Sequence, residues 1–289
     1  MPAQIIDGKA IALELRGNLK EKISQLVTEG NRPPTLAVIL IGDDPASHVY
    51  VGHKEKACAS IGIRSVSHRL GEQTTQAELE ALLKKLAKDD GIDGMLLQLP
   101  LPSHLKSAQA LDCIPVEKDV DGLSPENQGR LLCRRPGLFS CTPLGCMDLI
   151  RKTGLELRGA TAAVIGRSLL VGAPLATMIG QRGATVTGIH SKTQDPKKFT
   201  RDADLLVAAA GVHHLVDASW VKPGAVVIDV GMHRIDGKLA GDVDFDSVKE
   251  VASYITPVPG GVGPMTIAKL LENCVISYER NIAKAQLLS

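Results

Sequence analysis

Short apolar runs alternate with helical segments along this chain, and this alternation limits the possible fold more than any other feature. The run "PTLAVILIG" at 34–42 ends in a glycine and predicts a buried strand. Helical patterns at 8–29 and 46–61 flank it, and "IRSVSHRL" at 63–70 predicts a second strand. The next segment, "TQAELEALLKKLAKDD", predicts a helix that begins with a capping box of Thr75 and Glu78. Strands that alternate with helices favour a parallel sheet with right-handed crossovers. We therefore expect an α/β fold.

A second alternating set predicts a second domain. After the less regular region 103–140, "CTPLGCMDLIRKTG" starts a helix with Thr142 as its predicted N-cap. The strands predicted beyond it are 161–165, 184–189, 204–209, 225–230 and 253–256. Because the second sheet is then complete, we expect the closing helix to return to the first domain. The first domain is thus placed at 1–140 together with 264–289, and a Rossmann-like second domain at 141–263.

Composition argues against several classes of function. With a net charge of +1, one Trp, three Tyr and three Phe, the chain lacks the basic and aromatic surfaces that bind nucleic acid. No apolar run approaches the ~18 residues of a membrane span, and no signal peptide is recognised at the N-terminus. The six cysteines form no CxxC pair. We therefore expect reduced thiols, no metal site and a cytoplasmic protein.

Lys54 occupies an unusual place in the segment "YVGHKEKACASIGI". On a helix its neighbours three and four positions away are Tyr50, Val51, Ala57 and Cys58, so it lies within the apolar face. A lysine there can extend its ammonium to the edge of that face. Alternatively it stays buried, which lowers its pKa and favours proton transfer near neutral pH.

The segment "VIGRSLLVGAP" has the context of a dinucleotide-binding turn. A strand ends at Gly166 and a helix is predicted to begin near Val171, so backbone N–H groups can face a pyrophosphate. The pattern departs from G-x-G-x-x-G, and an ordinary strand–turn–helix joint is the alternative. After the next strand come Ser191 and Lys192, with no carboxylate to bind a free ribose hydroxyl. With Arg167 in the turn, the donors predict NADP rather than NAD.

Three further segments carry candidate ligand-binding residues. Gln98 follows an apolar strand, at the carboxyl end where open α/β sheets bind ligands. Asp121 lies in "DVDGLSPENQGRL", where Asp-Gly most often marks a turn and otherwise offers a carboxylate to a polar heterocycle. The loop "ITPVPGGVGPMT" contains Gly260 and Gly261, which allow either close approach to a ligand or a tight connection between domains.

Together these segments resemble the methylenetetrahydrofolate dehydrogenase/cyclohydrolase family over nearly the whole chain. The motifs that carry the resemblance are "YVGHKEKACASIGI", "LLQLPLP", "KDVDGLSPENQGRL", "CTPLGCMDLI", "VIGRSLLVGAP", "VIDVGMHR", "GDVDF" and "TPVPGGVGPMT". The resemblance implies oxidation of 5,10-methylenetetrahydrofolate to the 5,10-methenyl form with NADP⁺. It also implies hydrolysis of that form to 10-formyltetrahydrofolate, and a homodimer.

The resemblance also implies roles for individual residues. The key lysine of the family falls on Lys54, its tyrosine on Tyr50 and its glutamine on Gln98, while Asp121 falls on the pterin-binding aspartate. The implied cofactor-binding residues are Gly166, Arg167, Ser168, Ser191 and Met232. The implied substrate-side residues are Thr142, Pro259, Gly260 and Gly261.

Two positions depart from the family pattern, and two other functions stay open. Ala173 stands where many bacterial members have Arg, and His213 stands where members commonly have Pro. One alternative function is an NADP-dependent dehydrogenase of another small substrate, such as the two-domain shikimate type. The other is a sensor that binds NADP without turnover. Neither alternative accounts for Lys54, Gln98 and Asp121 together with the Pro/Gly loop.

Overall fold

The computed structural model describes residues 2–288 and divides into two compact units. One unit joins the N-terminal residues through Leu13 to Thr142–Thr266, and we call it the cofactor unit. The other joins Glu14–Cys141 to the chain from Ile267 onward, and we call it the lysine unit. Positions 1 and 289 of the predicted ranges lie outside the described residues.

The helices and strands follow the predicted alternation. The strands are β1 (Gln4–Ile5), β2 (Thr35–Ile41), β3 (Arg64–Leu70), β4 (Gly94–Leu97), β5 (Thr161–Ile165), β6 (Thr185–Ile189), β7 (Leu205–Ala208), β8 (Val226–Asp229), β9 (His233–Ile235), β10 (Lys238–Ala240) and β11 (Tyr254–Ile255). The helices are α1 (Gly8–Thr28), α2 (Pro45–Ile61), α3 (Gln76–Ala87), α4 (Ser107–Leu111), α5 (Pro125–Leu132), α6 (Cys141–Lys152), α7 (Gly172–Gln181), α8 (Lys197–Thr200), α9 (Phe245–Val248) and α10 (Val262–Leu288).

The lysine unit is built on a parallel sheet with the order β3-β2-β4. The central strand β2 is buried at every position, as expected for a parallel strand covered on both faces. Alternate side chains of β2 enter two different cores. Leu36 and Leu40 pack with Leu19 of α1 and with α2 and α10, whereas Ile39 packs with Leu79 of α3 and with neighbours on that face.

The closing helix α10 returns to the lysine unit, as expected. Its residues Leu271 and Val275 belong to the same hydrophobic core as α1. The Nζ of Lys22 in α1 lies 2.7 Å from a carboxylate oxygen of Glu279. In addition, the Tyr278 hydroxyl donates a hydrogen bond to a backbone carbonyl that precedes β2. The closing helix therefore completes the core of the lysine unit.

The cofactor unit contains a parallel sheet with the order β1-β11-β8-β7-β5-β6. The expected strands are present, but β1 was not predicted. Its two residues pair with Tyr254 and Ile255 of β11. Residues 2–13 therefore belong to the cofactor unit, whereas the sequence pattern predicted them in the first domain. A strand of two residues is too short to show an alternating pattern. The β9–β10 hairpin, also not predicted, is equally short.

Two local predictions have different outcomes. The capping box at the start of α3 is confirmed, because Thr75 and Glu78 each accept from the other's backbone N–H. The predicted N-cap at Thr142 is wrong, because α6 already begins at Cys141. The Thr142 Oγ1 instead lies 2.9 Å from the Thr266 Oγ1 at the start of α10. Within residues 2–288, no helix is long and apolar enough to cross a membrane.

Candidate active site

Lys54 lies on helix α2, which has well-defined ends. Asp44 caps its N-terminus by accepting from the Ser47 N–H at 2.8 Å, and Gly62 ends it in the left-handed conformation with φ of 90°. These caps satisfy end groups that helical bonds leave free. Lys54 is only 6% exposed, so its ammonium stays buried rather than extending to solvent. It lies 5.1 Å from the centroid of the Tyr50 ring.

The partner of Lys54 is Gln98, at the carboxyl end of β4. The Lys54 Nζ donates to the Gln98 Oε1 at 3.0 Å. The Gln98 Nε2 donates to the Leu99 carbonyl at 2.6 Å, and its backbone N–H donates to Ile39 of the neighbouring strand at 2.9 Å. These bonds fix the amide so that its oxygen faces the ammonium.

Asp121 occupies the turn that its Asp-Gly sequence indicates. The backbone N–H of Gly122, with φ of 69°, donates to the Asp119 carbonyl at 3.0 Å. The buried Asp119 carboxylate in turn accepts from the N–H of Ser124 at 2.8 Å and from the Asn127 amide at 3.0 Å. The turn is therefore held by its own polar contacts, which leaves the Asp121 carboxyl available to its neighbours.

The charges of this cluster influence one another. Loss of hydration lowers the pKa of the Lys54 ammonium, and the nearby Asp121 charge partly opposes that change. Loss of hydration also raises the pKa of Asp121, which the Lys54 charge opposes. Burial likewise raises the pKa of Tyr50, with a further contribution from Asp121. An acid and a base whose pKa values move toward each other are suited to proton transfer near neutral pH.

Sequence reasoning missed one member of the cluster, Cys141. Its Sγ donates to the Val120 carbonyl at 3.2 Å, directly before Asp121. Burial raises the pKa of this thiol well above its usual value, and Asp121 adds to the effect. The thiol therefore stays protonated and acts as a donor. Cys141 belongs to the quoted motif "CTPLGCMDLI", but nothing in its spacing relates it to Lys54.

The glycine turn of the cofactor unit follows β5. Gly166 has φ of 110°, and its N–H donates to the Ile189 carbonyl at 2.8 Å. A Cβ at Gly166 would contact the Ala209 carbonyl oxygen, and a Cβ at Gly172 would lie 2.9 Å from the Arg167 nitrogen. The Ser168 Oγ accepts from the first N–H groups of the helical turn. Only glycines permit a turn packed this tightly on its own backbone, and such a turn before a helix is typical of a dinucleotide-binding site.

Other predicted cofactor residues follow strands of the same parallel sheet. Ser191 follows β6, and Met232, which is 55% exposed, follows β8. Gly166 and these two residues therefore lie at the same carboxyl edge of the sheet, where open α/β sheets bind ligands. Arg167 is exposed. His213, one of the two departures, stacks on His214 with 3.8 Å between ring centroids.

The Pro/Gly loop before α10 has a structural reason for its glycines. Gly260 has φ of 108°, and its carbonyl accepts from the Lys9 N–H at 2.9 Å. A Cβ at Gly261 would lie 2.6 Å from the Pro257 carbonyl oxygen. The preceding Val258–Pro259 bond is cis. Backbone packing within the cofactor unit therefore explains the glycines, and a substrate role for Pro259, Gly260 and Gly261 stays a prediction.

Models of two protein domains match this chain. The catalytic domain of tetrahydrofolate dehydrogenase/cyclohydrolase matches residues 6–121. The NAD(P)-binding domain of the same enzyme matches residues 140–282. These two ranges include the lysine cluster through Asp121 and the glycine turn, respectively.

Individual proteins of this family are similar to the chain over nearly its whole length. The bifunctional protein FolD of Sorangium cellulosum is 51% identical over 286 residues, which cover 98% of this chain and 100% of that protein. The crystal structure of the bifunctional FolD dehydrogenase/cyclohydrolase of Campylobacter jejuni has 48% identity and a TM-score of 0.94, with 96% and 99% of the two chains covered. The Trypanosoma brucei enzyme, solved with NADP cofactor and inhibitor, has 39% identity and a TM-score of 0.94, with 98% and 99% covered.

The likeness extends through both units, at identities far above those at which only a fold is shared. The chain belongs to the tetrahydrofolate dehydrogenase/cyclohydrolase family.

Proposed function

We propose that this chain is a bifunctional enzyme of folate one-carbon metabolism. It oxidises 5,10-methylenetetrahydrofolate to 5,10-methenyltetrahydrofolate with NADP⁺ and hydrolyses the methenyl form to 10-formyltetrahydrofolate. The single observation that carries the proposal is the buried Lys54 bonded to Gln98, with the Asp121 charge nearby. Two relatives that are 51% and 52% identical to this chain are named bifunctional protein FolD, which supports both activities.

Lys54 moves protons in the hydrolytic step. In its neutral form the Nζ accepts a proton from water, whose oxygen attacks the methenyl carbon. The resulting ammonium then protonates the leaving ring nitrogen as the carbon–nitrogen bond breaks, and the hydroxyl proton is lost as the formyl carbonyl forms. Gln98 keeps the Nζ in place through its amide oxygen, and the Tyr50 ring covers one side of it. Asp121 accepts hydrogen bonds from the pterin.

The cofactor unit has residues that fit NADP. Gly166 and Gly172 permit a tight turn in which any Cβ would meet backbone atoms, and this turn leads to the N-terminus of α7, where a pyrophosphate can bind. Ser168 adds a hydroxyl. Arg167 and Ser191 supply donors for a 2′-phosphate, and Met232 forms an apolar wall for the nicotinamide. When bound, NADP⁺ supplies the hydride acceptor.

The remaining parts of the proposal concern the two units and their surroundings. The lysine unit, near the expected 1–140 with 264–289, carries folate binding and catalysis. The cofactor unit, near the expected 141–263, carries NADP. Thr142, Pro259, Gly260 and Gly261 line the substrate side. The protein acts in the cytoplasm as a homodimer, with tetrahydrofolate derivatives rather than nucleic acid or membrane as its partners.

A spectrophotometric assay tests the function directly. The enzyme is supplied with 5,10-methylenetetrahydrofolate and either NADP⁺ or NAD⁺, and NADPH and the methenyl product are followed together. We expect NADPH without accumulation of methenyl product, and a clear preference for NADP⁺. Methenyl accumulation would contradict the hydrolase. No reduction of either cofactor with the folate would contradict the dehydrogenase and would favour a nucleotide sensor. Reduction of NADP⁺ when a hydroxy acid replaces the folate would favour a shikimate-type enzyme.

A further inference from the structure

Asn273 on helix α10 joins two backbone segments of the lysine unit. Its side chain is buried, with 2% exposure. The Nδ2 donates to the Val120 carbonyl at 2.8 Å and to the Phe139 carbonyl at 2.9 Å. It also lies 3.7 Å from the Cys141 Sγ. One amide group thus contacts the residue before Asp121 and the segment that leads to Cys141.

The two joined segments pack closely on each other. A Cβ at Gly122 would lie 2.7 Å from the Phe139 Cα, so only glycine permits this approach. The Gly122 carbonyl accepts from the Gln128 Nε2 at 2.7 Å and from the Ser140 Oγ at 3.2 Å. Asp121 therefore lies between two residues, Val120 and Gly122, whose backbone carbonyls are both held by side chains. On the Val120 side, those side chains are Asn273 and Cys141.

We propose that Asn273 is a positioning residue for the reaction, because its amide fixes the Val120 carbonyl and thereby keeps the Asp121 carboxyl beside Lys54. This role rests on the proposed function. Removing the amide leaves two buried carbonyls short of a donor, which is unfavourable. The Val120 carbonyl then keeps only the weaker thiol donor of Cys141. The peptide before Asp121 is less constrained, and the carboxyl loses its fixed distance to the ammonium.

The pKa of Lys54 reports such a displacement because few polar or titratable groups face its ammonium. Tyr50 and Cys58 face it from its own helix, Gln98 from the end of β4, and Asp121 and Cys141 from the segments that Asn273 joins. Asp121 is the first of the groups that raise the pKa of Lys54 against the effect of burial. If the carboxyl moves away, the pKa of Lys54 falls further.

Ser277 provides a matched control one turn further along α10. It is 1% exposed, and its Oγ lies 2.6 Å from the backbone carbonyl oxygens of both Asp93 and Glu117, which share its single hydroxyl proton. Ser277→Ala therefore removes the same kind of contact, from the same helix to the same unit. Neither of these carbonyls adjoins Asp121 or Cys141.

The test compares Asn273→Leu, which has nearly the same shape without a donor, with Ser277→Ala. Methenyltetrahydrofolate hydrolysis is measured against pH, together with KM for the folate and urea unfolding. We expect both variants to be less stable. Only Asn273→Leu should reduce kcat/KM by about tenfold or more and move the midpoint of the rising limb, where Lys54 loses its proton, to lower pH. Asn273→Ser, which keeps a shorter donor, should fall between wild type and Asn273→Leu.

The outcomes separate the two proposals. Equal activity losses in Asn273→Leu and Ser277→Ala, with an unchanged pH midpoint on an active wild-type enzyme, would overturn the role of Asn273 alone. If Asn273→Leu does not fold, a pH midpoint in Asn273→Ser identical to that of Ser277→Ala would overturn it equally. A wild-type enzyme without turnover would overturn the proposed function, and the positioning role with it.

Discussion

At the scale of single residues, the proposed proton transfer depends on the burial of Lys54. Replacing it with Met keeps most of the apolar stem and removes the ammonium. Because no other amine contacts Gln98 among the described hydrogen bonds, we expect Lys54→Met to lower methenyl hydrolysis by at least about 100-fold. NADP binding, which depends on the cofactor unit, should be unchanged. Stopped-flow hydrolysis and cofactor titration measure the two effects.

Lys56 gives the control for this prediction. It lies two positions along the same helix but is exposed, so Lys56→Met removes an equal charge without entering the cluster. We expect its hydrolysis rate to stay close to that of wild type. Retained hydrolysis in Lys54→Met, or an equal loss in Lys56→Met, would refute the proton-transfer role of Lys54.

Arg167 is the residue to which we assign the proposed preference for NADP over NAD. Its exposed guanidinium offers paired donors that suit a phosphate dianion. We expect Arg167→Ala to weaken NADP binding by about tenfold or more, with little change for NAD, because the two differ only in the 2′-phosphate. Arg182→Ala, at an exposed position directly after α7, is the control. Isothermal titration calorimetry with both cofactors measures these affinities. If Arg167→Ala weakened the binding of NADP and NAD equally, the 2′-phosphate role of Arg167 would be contradicted.

Residue-level prediction succeeded where the local sequence contains the cause. The neighbours three and four positions from Lys54 already show that it lies on an apolar face, and its 6% exposure agrees. The link between Lys54 and Gln98 came from the family resemblance, because their spacing in the sequence does not indicate it. Cys141 and Asn273 could not be predicted, because their contacts with Val120 depend on the packing of an irregular segment and of the last helix. No periodicity encodes such contacts.

At the scale of elements, helix α7 shows how one glycine can shape a binding turn. A Cβ at Gly172 would lie 2.6 Å from the Gly166 carbonyl carbon, whereas a Cβ at Gly180 would meet only the Val186 side chain at 3.8 Å. We expect Gly172→Ala to displace the turn and weaken NADP binding by about tenfold or more. Gly180→Ala should leave binding unchanged and raise stability by up to ~1 kcal/mol, the helix propensity of alanine. Cofactor titration and thermal unfolding distinguish the two variants, and unchanged NADP affinity in Gly172→Ala would contradict the model of the turn.

The elements that were predicted correctly have a long apolar pattern or a recognisable helix cap. Helix α3 shows its capping box, and β2 shows an uninterrupted apolar run, so local sequence determines both. Strand β1 depends on its pairing with β11, a contact across almost the whole chain. The early start of α6 at Cys141 likewise depends on tertiary contacts, since the Thr142 hydroxyl pairs with Thr266 instead of capping the helix. Tertiary contacts decide what local propensity leaves open.

At the scale of the whole molecule, neither unit is one continuous stretch of chain. The cofactor unit includes residues through Leu13, and the lysine unit includes the chain from Ile267 onward. A chain cut at the predicted boundary would therefore lose part of each core, for example Leu271 and Val275 from the lysine unit. Trp220, the single Trp of the sequence, lies in the core of the cofactor unit. Its fluorescence thus reports the unfolding of that unit.

The stability of the cofactor unit should depend on pH through Asp229, which is 3% exposed at the end of β8. Burial raises its pKa to about 6, although three backbone N–H groups donate to its carboxylate. In the unfolded chain the pKa is about 4. Between these values the folded state holds a proton that the unfolded state has lost, so this stabilisation is fully present below about pH 4 and is lost as pH rises through 6.

Asp229→Asn removes the titrating group while keeping the shape of the side chain. Urea unfolding, followed by Trp220 fluorescence, measures the free energy of unfolding of both proteins. Between pH 4 and pH 6 we expect that of the wild type to fall by up to about 3 kcal/mol relative to that of Asp229→Asn. Above pH 6 the difference between the two should stay constant. A difference that stays level across the whole range would mean that Asp229 is ionised throughout, held by its backbone donors.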